Sequence, residues 1–318
     1  MEKVIFDTDP GVDDAMALLF LHRHPDIDLV GITTVFGNAA VETTTRNALF
    51  LAEQWRIAAP VAEGATAAFD PARAQRPWPA FIHGENGLGD IAIPEPVGRK
   101  ADPRPAHRFI VDTVKAYPGE VTLIAVAPLT NLALALAEAP EIAGLVKRVI
   151  VMGGAFFVNG NATPAAEANI HCDPEAADRV FTASWPVVVV GLDVTNRTVM
   201  TRAALAEIAA KGGAGLRLLA DLSQFYIDFY RQRVGHDGMV VHDTCACVYA
   251  VAPDLFETAT GAIRAVCGGI ADGKTILKPE GTRFGPSAWD GQPDQTVCTG
   301  IRPDAVLDLI HETLLREG

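Results

Sequence analysis

Apolar and polar positions alternate along this chain between two rhythms. Val4-Ile5-Phe6 is an unbroken apolar run of the kind a strand buried on both faces needs, whereas from Asp13 to His24 the apolar residues recur at helical spacing. Asp28 to Phe36 reads as a second buried strand stopping at Gly37-Asn38, Val41 to Trp55 as a helix, and Ile57 to Glu63 as a short third strand. A helix from Ala106 to Tyr117 closes at Pro118-Gly119. Val121 to Ala127 is the next buried strand, and Thr130-Asn131 introduces the helix Leu132 to Ala139. Val146 to Met152 is a strand ending in Gly153-Gly154, and Asp173-Pro174-Glu175 starts a helix. Val187 to Val194 reads as a core strand, followed by helices over Thr201 to Lys211 and Gly213 to about Arg233. A helix begins near Val241-His242-Asp243. Ala262 to Gly268, Thr275 to Lys278 and Gln295 to Ile301 read as short edge strands, and Arg302-Pro303 leads into a last helix.

Strand and helix in alternation predict an α/β fold, an open and mostly parallel sheet flanked by helices, with a small edge region of short strands. Residues 1–318 are expected to form a single domain, since no linker or repeat interrupts the pattern. Periodicity fails only from Gly64 to Lys100. That stretch contains His83-Gly84-Glu85-Asn86-Gly87-Leu88-Gly89-Asp90, either a surface turn or a lid carrying His83 over a site.

Composition narrows the partners. A net charge of −13, from 26 basic and 39 acidic residues, and a pI near 5.0 argue against nucleic acid, which wants a basic face. No apolar run approaches the ~18 residues of a membrane span, and the acidic start does not read as a signal peptide. Cys172, Cys245, Cys247, Cys267 and Cys298 lack zinc-site spacing, and free thiols point to the cytoplasm.

The candidate chemistry starts where the first strand meets the first helix. Asp7, Asp9, Asp13 and Asp14 crowd one corner around Pro10-Gly11. Two carboxylates about 4 Å apart repel by roughly 4 kcal/mol at an effective dielectric near 20, so protons, donors or a cation must compensate. An all-oxygen donor set suits hard Ca²⁺ or Mg²⁺ rather than zinc. Asp14 leans back toward the strand end, and Asp7, inside the strand, supports the corner. Each polar cluster falls just after a strand, where open parallel sheets bind ligands. Two features stay double-edged. Asp243 reads as a helix cap or a ligand, and the stripe Phe225, Tyr226, Phe229, Tyr230 reads as core packing or as rings reaching a cleft.

Asp7-Thr8-Asp9-Pro10-Gly11-Val12-Asp13-Asp14 resembles the N-terminal signature of the inosine-uridine preferring nucleoside hydrolase family. The resemblance extends through Gly37-Asn38, Thr45-Arg46-Asn47-Ala48, His83-Gly84, Pro128-Leu129-Thr130-Asn131, Met152-Gly153-Gly154, Glu167-Ala168-Asn169 and His242-Asp243. It implies a Rossmann-like nucleoside hydrolase fold, a homodimer or homotetramer, and calcium-dependent hydrolysis of the N-glycosidic bond of a small-molecule ribonucleoside. Asp9, Asp14, Asp243 and the Val126 carbonyl would hold the calcium ion, and Asp9 would be the base for a calcium-bound water. Asp13, Asn38 and Asn169 would bind the ribose hydroxyls, Glu167 and Asn161 the 5′-hydroxyl, and Met152 would pack under the sugar. His242 matches the acid for the leaving base and His83 a residue near that base. Val12 departs from the histidine many relatives have, and Val126-Ala127-Pro128 from Thr-Gly-Pro or Ile-Gly-Pro. The rival readings are a calcium-dependent ribonucleoside-binding protein without turnover and a haloacid dehalogenase-like phosphohydrolase, whose pattern Pro10 to Asp14 does not continue.

Overall fold

Period-two alternation decides which face each strand residue serves. On the first strand, Val4 and Phe6 pack into one apolar layer and Ile5 into another, so the sheet is covered on both faces. The computed structural model describes residues 1–95 and 97–316. Its strands are β1 (Glu2–Thr8), β2 (Ile27–Thr34), β3 (Val61–Ala62), β4 (Val121–Ala125), β5 (Arg148–Met152), β6 (Val187–Val190), β7 (Val199–Thr201), β8 (Gly238–Val240), β9 (Phe256–Ala265), β10 (Thr275–Pro279) and β11 (Asp294–Ile301). Nine of them form one sheet in the order β10-β9-β11-β6-β5-β4-β1-β2-β3, while β7 and β8 pair separately. Pairing is parallel from β3 across to β11, and β9 and β10 add antiparallel.

One layer holds the helices Val12–Arg23, Ala214–Val234, His242–Val251 and Pro303–Leu314; the other holds Ala106–Ala116, Thr130–Glu138 and Pro174–Phe181. Successive connections change direction between β1 and β4, which lie side by side with Asp7 opposite Ala125. Such a switch point opens a crevice at the carboxyl ends of the strands, and Asp9 and Val126 stand just beyond those ends.

Some expected strands come out with other bounds. The run Val187 to Val194 is not one strand: it breaks at Gly191, and Leu192–Thr195 is a helical turn. Gly191 lies so close to the preceding glycines that a Cβ there would sit 2.8 Å from the Gly154 carbonyl, which also accepts the Leu192 amide. The strand expected over Ile57 to Glu63 pairs only at Val61–Ala62, because the Arg99 guanidinium takes the Ile57 and Ala59 carbonyls. The edge strands are longer than expected and extend the main sheet. Among the described residues no helix is long and apolar enough to cross a membrane.

Candidate active site

Asp9 begins the turn that Pro10-Gly11 completes, and Asp13 and Asp14 occupy the first turn of the helix Val12–Arg23. The Asp14 carboxylate closes that turn: Oδ2 accepts the Gly11 amide at 2.9 Å and Oδ1 the Thr8 hydroxyl at 2.5 Å. Asn38, beyond β2, donates its side chain to Asp14 Oδ2 at 3.1 Å and its amide to Asp9 Oδ2 at 2.6 Å. Gly37 makes that approach possible, since a Cβ there would sit 1.9 Å from Asp9 Oδ2.

Asp243 arrives from the far end of the chain, in the first turn of the helix His242–Val251. It is not the cap of that helix, which is Val241. Instead, Asp13, Asp14 and Asp243 bring carboxylate oxygens within 4.8 Å of one another, all buried. Asp9 lies outside that trio; the pKa of Asp243 is raised by burial first, then by the charges of Asp13 and Asp14, and less by those of Asp9 and Glu167. Burial and Asp14 likewise raise Asp9, and raise Asp13 to about 8. Two helix N-termini point at the cluster, a partial compensation. Among the described residues no Arg or Lys forms an ion pair with any of the four.

Asp9 Oδ1 is buried with no hydrogen-bond partner. Together with the crowded trio, this orphan oxygen identifies a site able to hold a metal ion, with oxygen donors suited to a hard cation. The Val126 carbonyl, beside Asp9 at the switch point, accepts from Asn169 Nδ2 at 2.9 Å. Asn169 Nδ2 also meets the Met152 carbonyl at 3.2 Å. Glu167 is buried and caps the short helix Ala168–Cys172, holding the Asn169 and Gly154 amides. Asn161 is exposed; its Oδ1 accepts the Ala168 amide, and among the described residues no hydrogen bond links it to the acids. Asp7 is buried behind the corner, bonded to Thr33 and Asn131.

The opposite wall is aromatic. His83, on the single helical turn Ala80–His83, stacks on Tyr226 at 5.2 Å and accepts the Val12 amide at Nδ1. The Tyr226 hydroxyl meets Asp13 Oδ2 at 3.4 Å and the Tyr230 hydroxyl at 3.4 Å, and Tyr230 meets His242 Nε2 at 3.0 Å. The stripe therefore serves a cleft through Tyr226 and Tyr230, while Phe229 packs on exposed Phe81. Burial pushes His242 down to about 4, and burial with the nearby His242 pushes His83 to about 3, so both are neutral near pH 7. Thr195, buried at the end of the turn after β6, contacts His242 Nδ1 at 2.8 Å. Sequence reasoning missed it by extending β6 through Val194; the signal was Gly191 at a strand's carboxyl end.

The inosine-uridine preferring nucleoside hydrolase family profile matches residues 4–308. Uridine nucleosidase 1 of Arabidopsis thaliana is 40% identical, covering 99% of this chain and 94% of the relative. Among solved structures, a plant nucleoside hydrolase superposes with a TM-score of 0.93 at 38% identity, covering 99% of both chains. The purine-preferring ribonucleoside hydrolase from Gardnerella vaginalis does so at 0.91 and 33%, covering 99% of this chain and 98% of that one.

Proposed function

This chain belongs to the inosine-uridine preferring nucleoside hydrolase family, and from that premise we propose that it hydrolyses the N-glycosidic bond of ribonucleosides to ribose and free base. The observation that carries the reading is the buried cluster of Asp13, Asp14 and Asp243 with Asp9 beside it at the switch point, joined through Tyr226 and Tyr230 to His83 and His242. Acids and aromatic wall together suit a sugar on one side and a planar base on the other.

The proposed cation is calcium, held by Asp9, Asp14, Asp243 and the Val126 carbonyl. When bound, it makes a water easier to deprotonate and offers positions to the ribose 2′- and 3′-hydroxyls. Asp9 is the proposed base. Its Oδ2 accepts the Asn38 amide, which fixes the carboxylate at the site where a calcium-bound water would have to give up its proton. As the bond to the base breaks, positive charge grows on the sugar, and the surrounding carboxylates stabilise it. Asp13, Asn38 and Asn169 hold the ribose hydroxyls, Met152 packs beneath the ring, and Glu167 and Asn161 serve the 5′-hydroxyl. His242 gives the departing base a proton or hydrogen bond, and His83 lies beside that base.

The compared proteins carry both uridine and purine in their names. The chain is read as one domain, and its thiols, all free, fit a reducing cytoplasm. Assembly as a homodimer or homotetramer is proposed from the family resemblance alone. The rival, a binding protein without turnover, is separated by comparing Asp9→Ala with the native protein. The native protein is expected to release free base from at least one of inosine, adenosine, uridine and cytidine, and the variant about 10³-fold less of it; nucleoside bound without cleavage of any of the four by the native protein would establish the rival.

A further inference from the structure

We propose that Thr195 is a positioning residue for the hydrolysis: it fixes the tautomer of His242 so that Nε2, the nitrogen facing the aromatic wall, carries the proton. This rests on the proposed function only in assigning His242 to the leaving base. Thr195 is fully buried, and among the described residues its hydroxyl has one partner, His242 Nδ1 at 2.8 Å. A buried O–H left without an acceptor costs roughly 1–3 kcal/mol, so the hydroxyl donates and Nδ1 accepts. A neutral imidazole that accepts at Nδ1 carries its hydrogen on Nε2.

The rest of the chain of contacts agrees. Nε2–H donates to the Tyr230 hydroxyl at 3.0 Å, leaving the Tyr230 proton to point at Tyr226. The Tyr226 hydroxyl, 3.4 Å from Asp13 Oδ2, extends the chain of contacts to the acids. Donors thus run one way, from Thr195 through His242 to Tyr230. The reverse polarity would leave the buried Thr195 hydroxyl hydrogen with no acceptor among the described residues. With this polarity, a base nitrogen gaining electrons as its bond to ribose breaks meets the Nε2–H of His242. With the other tautomer it would meet a lone pair. The tight start of the turn at Gly191, against the Gly154 carbonyl, holds Thr195 in place.

The test uses the full-length, calcium-loaded protein, with Thr195→Val to remove the donor at nearly constant shape and Thr195→Ser to restore it. Nitrogen-15 NMR of His242 in the native protein is expected to show Nδ1 as acceptor and Nε2 as protonated, and in Thr195→Val a mixture or the reverse. Turnover of uridine and inosine should fall by about 10²-fold in Thr195→Val. It should stay within about twofold on p-nitrophenyl riboside, whose phenolate leaves without a proton, and recover in Thr195→Ser. A proton on Nδ1 in the native protein overturns the proposal, as does an equal loss on both kinds of substrate. If the native protein cleaves no riboside, the proposed function fails, and the NMR signature alone decides the role of Thr195.

Discussion

Asp9 shows how one residue's position depends on a neighbour with no side chain. Its Oδ2 is held by the Asn38 amide at 2.6 Å, in space that a Cβ on Gly37 would enter at 1.9 Å. Gly37→Ala must therefore displace the Asp9 carboxylate or the loop after β2. A displacement near 1 Å at a reacting group costs on the order of 10²-fold in rate, so kcat should fall by about that factor while thermal stability changes little. Unchanged kcat would show that Asp9 is not held where the chemistry needs it. At this scale the sequence was informative about residue type but not about convergence. Asp9, Asp13 and Asp14 were visible as a cluster because four residues of turn cannot separate them. That Asp13 closes the tight trio with Asp14 and Asp243 depends on side-chain directions that spacing does not specify.

The elements around the cleft divide by how firmly periodicity marks them. The helices Val12–Arg23 and His242–Val251 were legible because long apolar patterns start at polar residues, and both deliver acids from their first turns. The helix Ala168–Cys172 was not, since five residues carry no period; its start is fixed by Glu167 accepting the Asn169 and Ile170 amides. β7 and β8, three residues each, were equally silent. The loop bearing His83 is more ordered than its composition implied. Asn47 donates to the Pro10 and Asn86 carbonyls, tying the loop to the acidic turn, and Gly89 packs against the helix Ala214–Val234. Gly89 has φ +65°, and a Cβ there would lie 2.3 Å from the Leu222 carbonyl. Gly89→Ala should undock the loop, raising KM for ribonucleosides about tenfold and speeding proteolysis between residues 80 and 91, a strain of roughly 1–3 kcal/mol. Native protease resistance in that variant would mean that the contact does not hold the loop.

Across the whole molecule, the parallel order was readable from strand and helix alternation, and the switch point follows from it. What alternation could not reveal is that β9, β10 and β11 continue the main sheet, because partner choice between distant strands is a tertiary matter. The sheet gathers acids from both ends of the chain, so stability depends on what neutralises them. Carboxylates with raised pKa cost nothing below their unfolded value near 4, and the cost grows as pH rises through the folded value, about 8 for Asp13. Protein stripped of metal should therefore lose melting temperature as pH rises from about 4 toward 8. Calcium at about 100 times its Kd should restore roughly 5 °C or more at the upper end of that window. Melting that is indifferent to calcium at pH 8 would remove the cation from the account.

The most direct measurement is release of free ribose from inosine, adenosine, uridine and cytidine by the purified protein, with calcium and again with an excess of chelator. The account predicts ribose from at least one nucleoside with calcium and a large loss of release with chelator. Absence of ribose from all of them would contradict it.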